Sequence, residues 1–157
     1  MFEAATGVLL PPITCVLTLE HDFDPKSLHT NNRLGLYGGF CNGGWLTAEA
    51  SPLPAGTIFH LSVHEYVARC GTSDPVIKKA LGAGHEFDAT QTCGIFVALL
   101  AGWRSGDQRF AGTNTLFISK RVVAGLFFCP ENGIYADTRG PKTDRYHSGS
   151  RVLSPAC

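Results

Sequence analysis

Thr57-Ile-Phe-His-Leu-Ser-Val-His-Glu-Tyr-Val67 alternates β-branched or aromatic residues with polar ones at a period of two, the pattern of a strand with one face on a core. On that reading Phe59, Leu61 and Val63 face the core, while His60, Ser62 and His64 face the polar side. Pro54-Ala55-Gly56 supplies the turn that introduces the strand. A helix would bring His60 and His64 to one face as metal ligands. A strand instead holds residues i and i+4 about 13 Å apart, too far for one ion, so no metal site is expected here.

The same β character continues outward. Thr113 to Phe128 is a long β-prone run interrupted by Ser119-Lys-Arg121, and the Pro130-Glu-Asn-Gly133 turn leads to a brief strand from Ile134 to Ala136. Gly94 to Leu100 is apolar almost throughout and reads as a buried strand, followed by a turn-like Trp103 to Arg109. Upstream, Ile13 to Leu19 reads as a strand. Pro11 and Pro12 lack amide donors and fix φ, so the residues before them read as an extended arm. One short helix is expected from Asp74 to Leu81, with Asp74 as N-cap, Pro75 at the first helical position and Gly82 as the stop. The glycines between Gly35 and Gly44 let neither strand nor helix run far. Asp137 to Cys157 has few apolar residues and reads as an exposed tail. The expectation is therefore a mainly β fold. It is a compact, β-rich domain of barrel-like (β-tulip) form, with one short helix, an extended N-terminal arm and an exposed C-terminal tail. The zones are an arm and glycine-rich segment over 1–45, a β-rich core over 46–136 and a polar tail over 137–157.

Composition narrows the function. A chain of 157 residues buries roughly 68–70% of the surface exposed on unfolding, so it needs no metal or disulfide merely to have a core. Charged residues are 17% of the total, against 44% hydrophobic, a balance that argues against disorder and favours association. Thirteen Lys plus Arg against 13 Asp plus Glu leave no excess charge to hold a polyphosphate backbone, so no nucleic-acid partner is expected. No apolar window is long enough to cross a membrane, and Met1 to Leu10 carries Glu3 without the basic start of a secretory signal. Cys15, Cys41, Cys70, Cys93, Cys129 and Cys157 are widely spaced with no CxxC, which disfavours zinc. Without a signal peptide, free and mostly buried thiols are expected.

Two stretches resemble enzymatic patterns. Gln91-Thr-Cys-Gly-Ile-Phe96 resembles the Gln…Cys-Gly-x-Phe stretch of the adenovirus-protease and SUMO-protease clan, which makes a cysteine-dependent hydrolase with Cys93 as nucleophile the alternative function. His60, His64 and His85 lack that clan's His-Trp context, and Cys93 reads more simply as a small core residue. Leu36-Tyr-Gly-Gly39 followed by Leu46-Thr-Ala48 faintly resembles a hotdog thioesterase, but Pro52, Pro54 and the nearby glycines leave no room for its long central helix. The glycines also lack the Gly-Lys-Ser/Thr ending of a phosphate loop. Trp45 and Trp103 read as core or interface anchors. No catalytic residue and no cofactor is expected.

The order of features from Leu46 to Asn132 matches a family. It runs Leu46-Thr-Ala-Glu-Ala50, Leu53-Pro-Ala-Gly-Thr-Ile58, Glu65-Tyr66-Val67, Cys93-Gly-Ile-Phe-Val97, Gly106-Asp107, Thr113 to Arg121, Val122-Val-Ala-Gly125 and Pro130-Glu-Asn-Gly133. This resembles the head decoration proteins of tailed bacteriophages, of the lambda type, over about 85 residues. The resemblance implies a non-enzymatic homotrimer that caps the outside of an icosahedral head, bound to the major capsid protein. It would be located on the virion exterior and assembled in the host cytoplasm. Family members meet the capsid through their N-terminal arm, which makes Val8, Leu9, Leu10 and Ile13 the candidate capsid-contact residues, with strand addition as the mode. The chain departs from the family in its longer ends and its six cysteines.

Overall fold

The computed structural model describes residues 9–30, 34–67, 74–119, 122–131, 133–140 and 150–156. Among these residues eight strands build one sheet: β1 Ile13–Thr18, β2 Leu34–Leu36, β3 Ile58–Glu65, β4 Glu86–Phe87, β5 Gly112–Ile118, β6 Val122–Cys129, β7 Gly133–Arg139 and β8 Arg151–Pro155. The helices are α1 Trp45–Glu49, α2 Asp74–Leu81 and α3 Ala89–Arg104, with short 3-10 segments at Pro25–Thr30 and Gly38–Phe40. The sheet order is β1-β3-β8-β5-β6-β7-β2, with β4 paired to β5 off this path. Most pairs are antiparallel, while β5–β8, β2–β7 and β4–β5 are parallel.

The mainly β expectation holds, and so do several of its parts. The alternation read in Thr57–Val67 appears in β3, with Phe59 and Leu61 buried and Ile58 and His60 exposed. Gly56 at φ +89° closes the preceding turn, where Thr57 N–H donates to Pro54 O. The helix from Asp74 to Leu81 forms with the expected bounds and ends at Gly82, φ +80°.

Four expectations are corrected. The sheet does not close into a barrel, because its order runs from β1 at one free edge to β2 at the other. The stretch Gly94 to Leu100 is not a strand but the middle of α3. Asp88 and Gln91 form a reciprocal capping box there, with Gln91 N–H donating to Asp88 Oδ1 at 2.7 Å and Asp88 N–H to Gln91 Oε1 at 2.9 Å. The helix is apolar on several sides because it is sunk into the core, which removes the periodicity that would have distinguished it from a strand. Trp103 and Arg104 complete α3, so the following turn begins at Ser105. A third correction is that α1 and the sixteen-residue α3 accompany the one short helix expected. Finally, the chain end is not an exposed tail. Arg151–Pro155 inserts as β8 between β3 and β5, with Val152 and Leu153 both 0% exposed. Two apolar residues suffice there because neighbouring strands flank both edges.

Strands from all three sequence zones thus share one sheet. On one face α3 packs against β1, β5 and β6. Phe96 of α3 meets Phe40 and Phe128 with ring centroids 5.6 and 6.3 Å apart. Gly94 lets α3 approach β3 closely, since a Cβ there would lie 2.5 Å from Phe59 Cζ. On the other face a smaller cluster joins Ile77 of α2 to Phe117, Val123, Val152, Tyr66 and Leu9. Asp74, fully buried at the start of α2, receives Arg139 Nη1 from β7 at 2.6 Å. Asp74 therefore anchors α2 to the sheet in addition to opening the helix.

Candidate functional site

The N-terminal arm folds onto its own sheet. Leu9 bridges Tyr66, and Leu10 N–H donates to Glu65 O at 2.9 Å. The pairing partners shift by one residue between Leu9–Tyr66 and Ile13–Val63, so Pro11 and Pro12 sit in an irregular step where their missing amides cost no ladder bond. His64 Nδ1–H donates to Leu10 O at 3.1 Å, and burial holds the His64 imidazole below its usual pKa against the opposing pull of that bond. Of the four candidate contact residues, Val8 lies outside the described residues. Leu9 is partly buried, Leu10 is 44% exposed and Ile13 is 73% exposed.

Two grooves meet beside this arm. The first, about 300 Å³, lies among Leu10, Pro11, Ile13, Phe110 and Arg151 and is mostly apolar. The second, about 290 Å³, runs along β1 from Val16 to Glu20 against Ala98, Ala101 and Gly102 of α3. Arg109 and Phe110 line both. Arg109 forks onto Asp107, with Nη2 to Oδ2 at 2.8 Å and Nε to Oδ2 at 3.0 Å. Hydrogen bonds from the Arg109 side chain and then its backbone lower the Asp107 pKa, and the same side-chain bond raises that of Arg109. The remaining Nη1 points at Cys15 Sγ, 3.9 Å away, a weak acceptor. Burial raises the Cys15 pKa. In the first groove Arg151 donates to Ala111 O, and desolvation lowers its pKa while nearby Glu65 opposes the shift.

Among the described residues there is no group of three His, Cys, Asp or Glu side chains placed to hold an ion. Cys15, Cys41, Cys93 and Cys129 are free thiols, as expected for these four, while Cys70 and Cys157 lie outside the described residues. Cys93 is 0% exposed on α3, and burial pushes its thiol pKa up to about 12. That environment opposes the thiolate a nucleophile needs. Trp45 and Trp103 both pack against the main core.

In native protein at pH 8, a disulfide reagent is expected to label the half-buried Cys41 and Cys129 within minutes. Cys93 is expected to react only at the rate of unfolding, read by peptide mapping. Rapid native-state labelling of Cys93 would contradict the buried placement. The sign of the pKa shift adds a second readout. Below its ordinary pKa of 9.0 the thiol is protonated in both folded and unfolded chains, so it changes nothing there. As pH rises from 9 toward 12, only the unfolded form releases its proton, so native stability falls progressively through that window.

Arg109, Arg151, Val16 and the small residues of α3 were not singled out by sequence reasoning. Arg109 reaches Cys15 across 94 positions of chain, a proximity that only the folded sheet creates. A scan against protein-family models returned no match, and neither did searches of curated proteins and of solved structures.

Proposed function

We propose that this chain is a non-enzymatic structural subunit that binds the outside of a tailed-phage head as a homotrimer and stabilises the shell. One observation carries this reading. Of six large hydrophobic residues left exposed among the described residues, four, Leu10, Ile13, Val16 and Ile58, lie on the arm, β1 or β3. Apolar surface gathered at one end of a sheet is a mark of association. The partner in this reading is the major capsid protein, on the virion exterior after assembly in the host cytoplasm. No catalytic residue or cofactor enters it.

The way the arm is held refines the contact. Because Leu10 is bonded to Glu65 at the end of β3 and Leu9 bridges the adjoining Tyr66, Leu10 and Ile13 would meet the capsid as side chains on a fixed edge. A prearranged contact of this kind loses little conformational entropy on docking. Stabilisation then follows from mass action, growing with subunit concentration over its dissociation constant.

The test is co-sedimentation with tailed-phage shells stripped of their decoration. Wild type is expected to sediment with the shells. The Leu10→Asp/Ile13→Asp double variant is expected to bind at least about tenfold more weakly, since each change places a charge in an apolar contact. Failure of wild type to bind any such shell would overturn the function. Unchanged binding by the double variant would overturn the assignment of these two residues.

A further inference from the structure

The free edge of β1 is built to pair with itself. Leu19 N–H donates to Thr57 O, continuing the β1–β3 register, so by antiparallel alternation Leu17, Cys15 and Ile13 are the residues bonded to β3. The main-chain groups of Thr14, Val16 and Thr18 therefore turn outward, where no further strand pairs among the described residues. Within Ile13–Thr18 the edge contains no proline, no charge and no bulge, the features that usually block strand addition.

We propose that a second copy of this chain occupies that edge, with the two β1 strands antiparallel about a two-fold axis at Val16. The outward set Thr14-x-Val16-x-Thr18 reads the same in both directions, as an isologous contact requires. Val16 then faces Val16, and each Thr14 faces Thr18 of the other copy, placing β-branched residues opposite one another.

Charge complementarity selects a second copy over an unrelated strand. Glu20 is exposed at one end of the groove and makes no ion pair among the described residues. Arg109 lines the other end, its side chain 64% exposed and its Nη1 offered only a distant thiol. The two-fold places Glu20 of each copy opposite Pro12 of the other, at the Arg109 end, so this complement is made twice. The same operation puts the two α3 helices on one side of the joined sheet, with Ala98, Ala101 and Gly102 between them. These small side chains allow close approach.

The size of the contact sets its strength. A six-residue strand runs about 20 Å, so with the helix flank each copy buries a few hundred Å², below the ~800 Å² per partner of a standard interface. The association is therefore reversible and depends on concentration. Ile13 lies within this paired strand, opposite Leu19 of the second copy, whereas Leu10 lies beyond it, and the pairing would link trimers through β1 if the proposed trimer forms elsewhere.

Sedimentation equilibrium of the full chain across a range of concentrations tests the pairing. The mass of the smallest unit is expected to double, with a dissociation constant in the micromolar range or weaker. Val16→Lys adds a charge to an exposed position, and Val16→Pro removes an amide that no strand among the described residues of its own chain uses. Both are expected to abolish the doubling without altering the folded circular dichroism spectrum. Residues paired across such a ladder have Cα atoms about 5.5 Å apart, within disulfide range. Under oxidised glutathione, Val16→Cys is therefore expected to give a dimer linked 16 to 16 by peptide mapping, and Thr18→Cys no 18-to-18 link. A mass that does not double with concentration, doubling retained in both Val16→Lys and Val16→Pro, or equal linking at 16 and 18 would overturn the proposal. Loss of shell binding by Leu10→Asp alone, which lies outside β1, with intact doubling would separate the two functions.

Discussion

Truncation after residue 149 is expected to abolish folding, although it removes only eight residues that look dispensable in the sequence. The missing segment contains β8, whose Arg151–Pro155 pairs with Leu61–Glu65 of β3 on one side and Asn114–Leu116 of β5 on the other. Without it both neighbours lose their ladder partner in the middle of the sheet, and β1–β3 becomes detached from β5–β6–β7. Val152 and Leu153 are fully buried, one on each face of the sheet, so each face loses a core side chain. Burying each is worth about 1.5–3 kcal/mol. Those two terms alone total roughly 3–6 kcal/mol, comparable with the entire 5–15 kcal/mol stability of an ordinary domain. The unpaired main-chain groups of β3 and β5 add to the loss. Urea titration followed by tryptophan fluorescence should show no cooperative transition in the truncated chain. A transition with an unchanged midpoint would mean that the segment does not contribute to the sheet in solution.

The two largest departures from sequence reasoning have separate physical causes. Alternation was legible in Thr57–Val67 because β3 has unlike environments on its two faces. The α2 helix was legible because Pro75 and Gly82 mark its ends chemically, independent of what it packs against. The α3 helix offered no such contrast in its middle, where Thr92, Cys93, Gly94, Ile95 and Phe96 are all buried. The usable signal lay one turn earlier, in Asp88-x-x-Gln91, the sequence form of the capping box. β8 carried almost no local signal, because Val152 and Leu153 lie between Ser150 and Ser154, which are themselves buried. Its burial is conferred by β3 and β5, which are distant in sequence. The grooves beside the arm were hidden for the same reason. Ile13 and Leu10 were legible as apolar residues next to a proline pair, whereas the Arg109, Val16 and α3 sides of the site depend on which strand lies at the edge.

Arg139→Met is expected to destabilise the fold by about 3 kcal/mol, the lower end of the range for removing one partner of a buried ion pair. Asp74 is 0% exposed and its Oδ2 accepts from Arg139 Nη1 at 2.6 Å, with Nη2 3.3 Å from Oδ1. The side chain of Arg139 is itself only 16% exposed, so solvent cannot readily replace the guanidinium. Removing that cation takes the Arg139 ion pair from a fully buried carboxylate at the start of α2, which favours α2 lifting off the sheet toward water. Lifting would expose Ile77 together with the Phe117, Val123 and Val152 surface it covers. Asp74→Asn combined with Arg139→Met should recover a large part of the loss, because the buried charge is then gone along with its partner. Chemical denaturation of wild type, both single variants and the double variant closes the cycle. A coupling energy above about 1 kcal/mol is expected, and additive effects would show that Asp74 and Arg139 are hydrated in solution rather than holding α2 against the sheet.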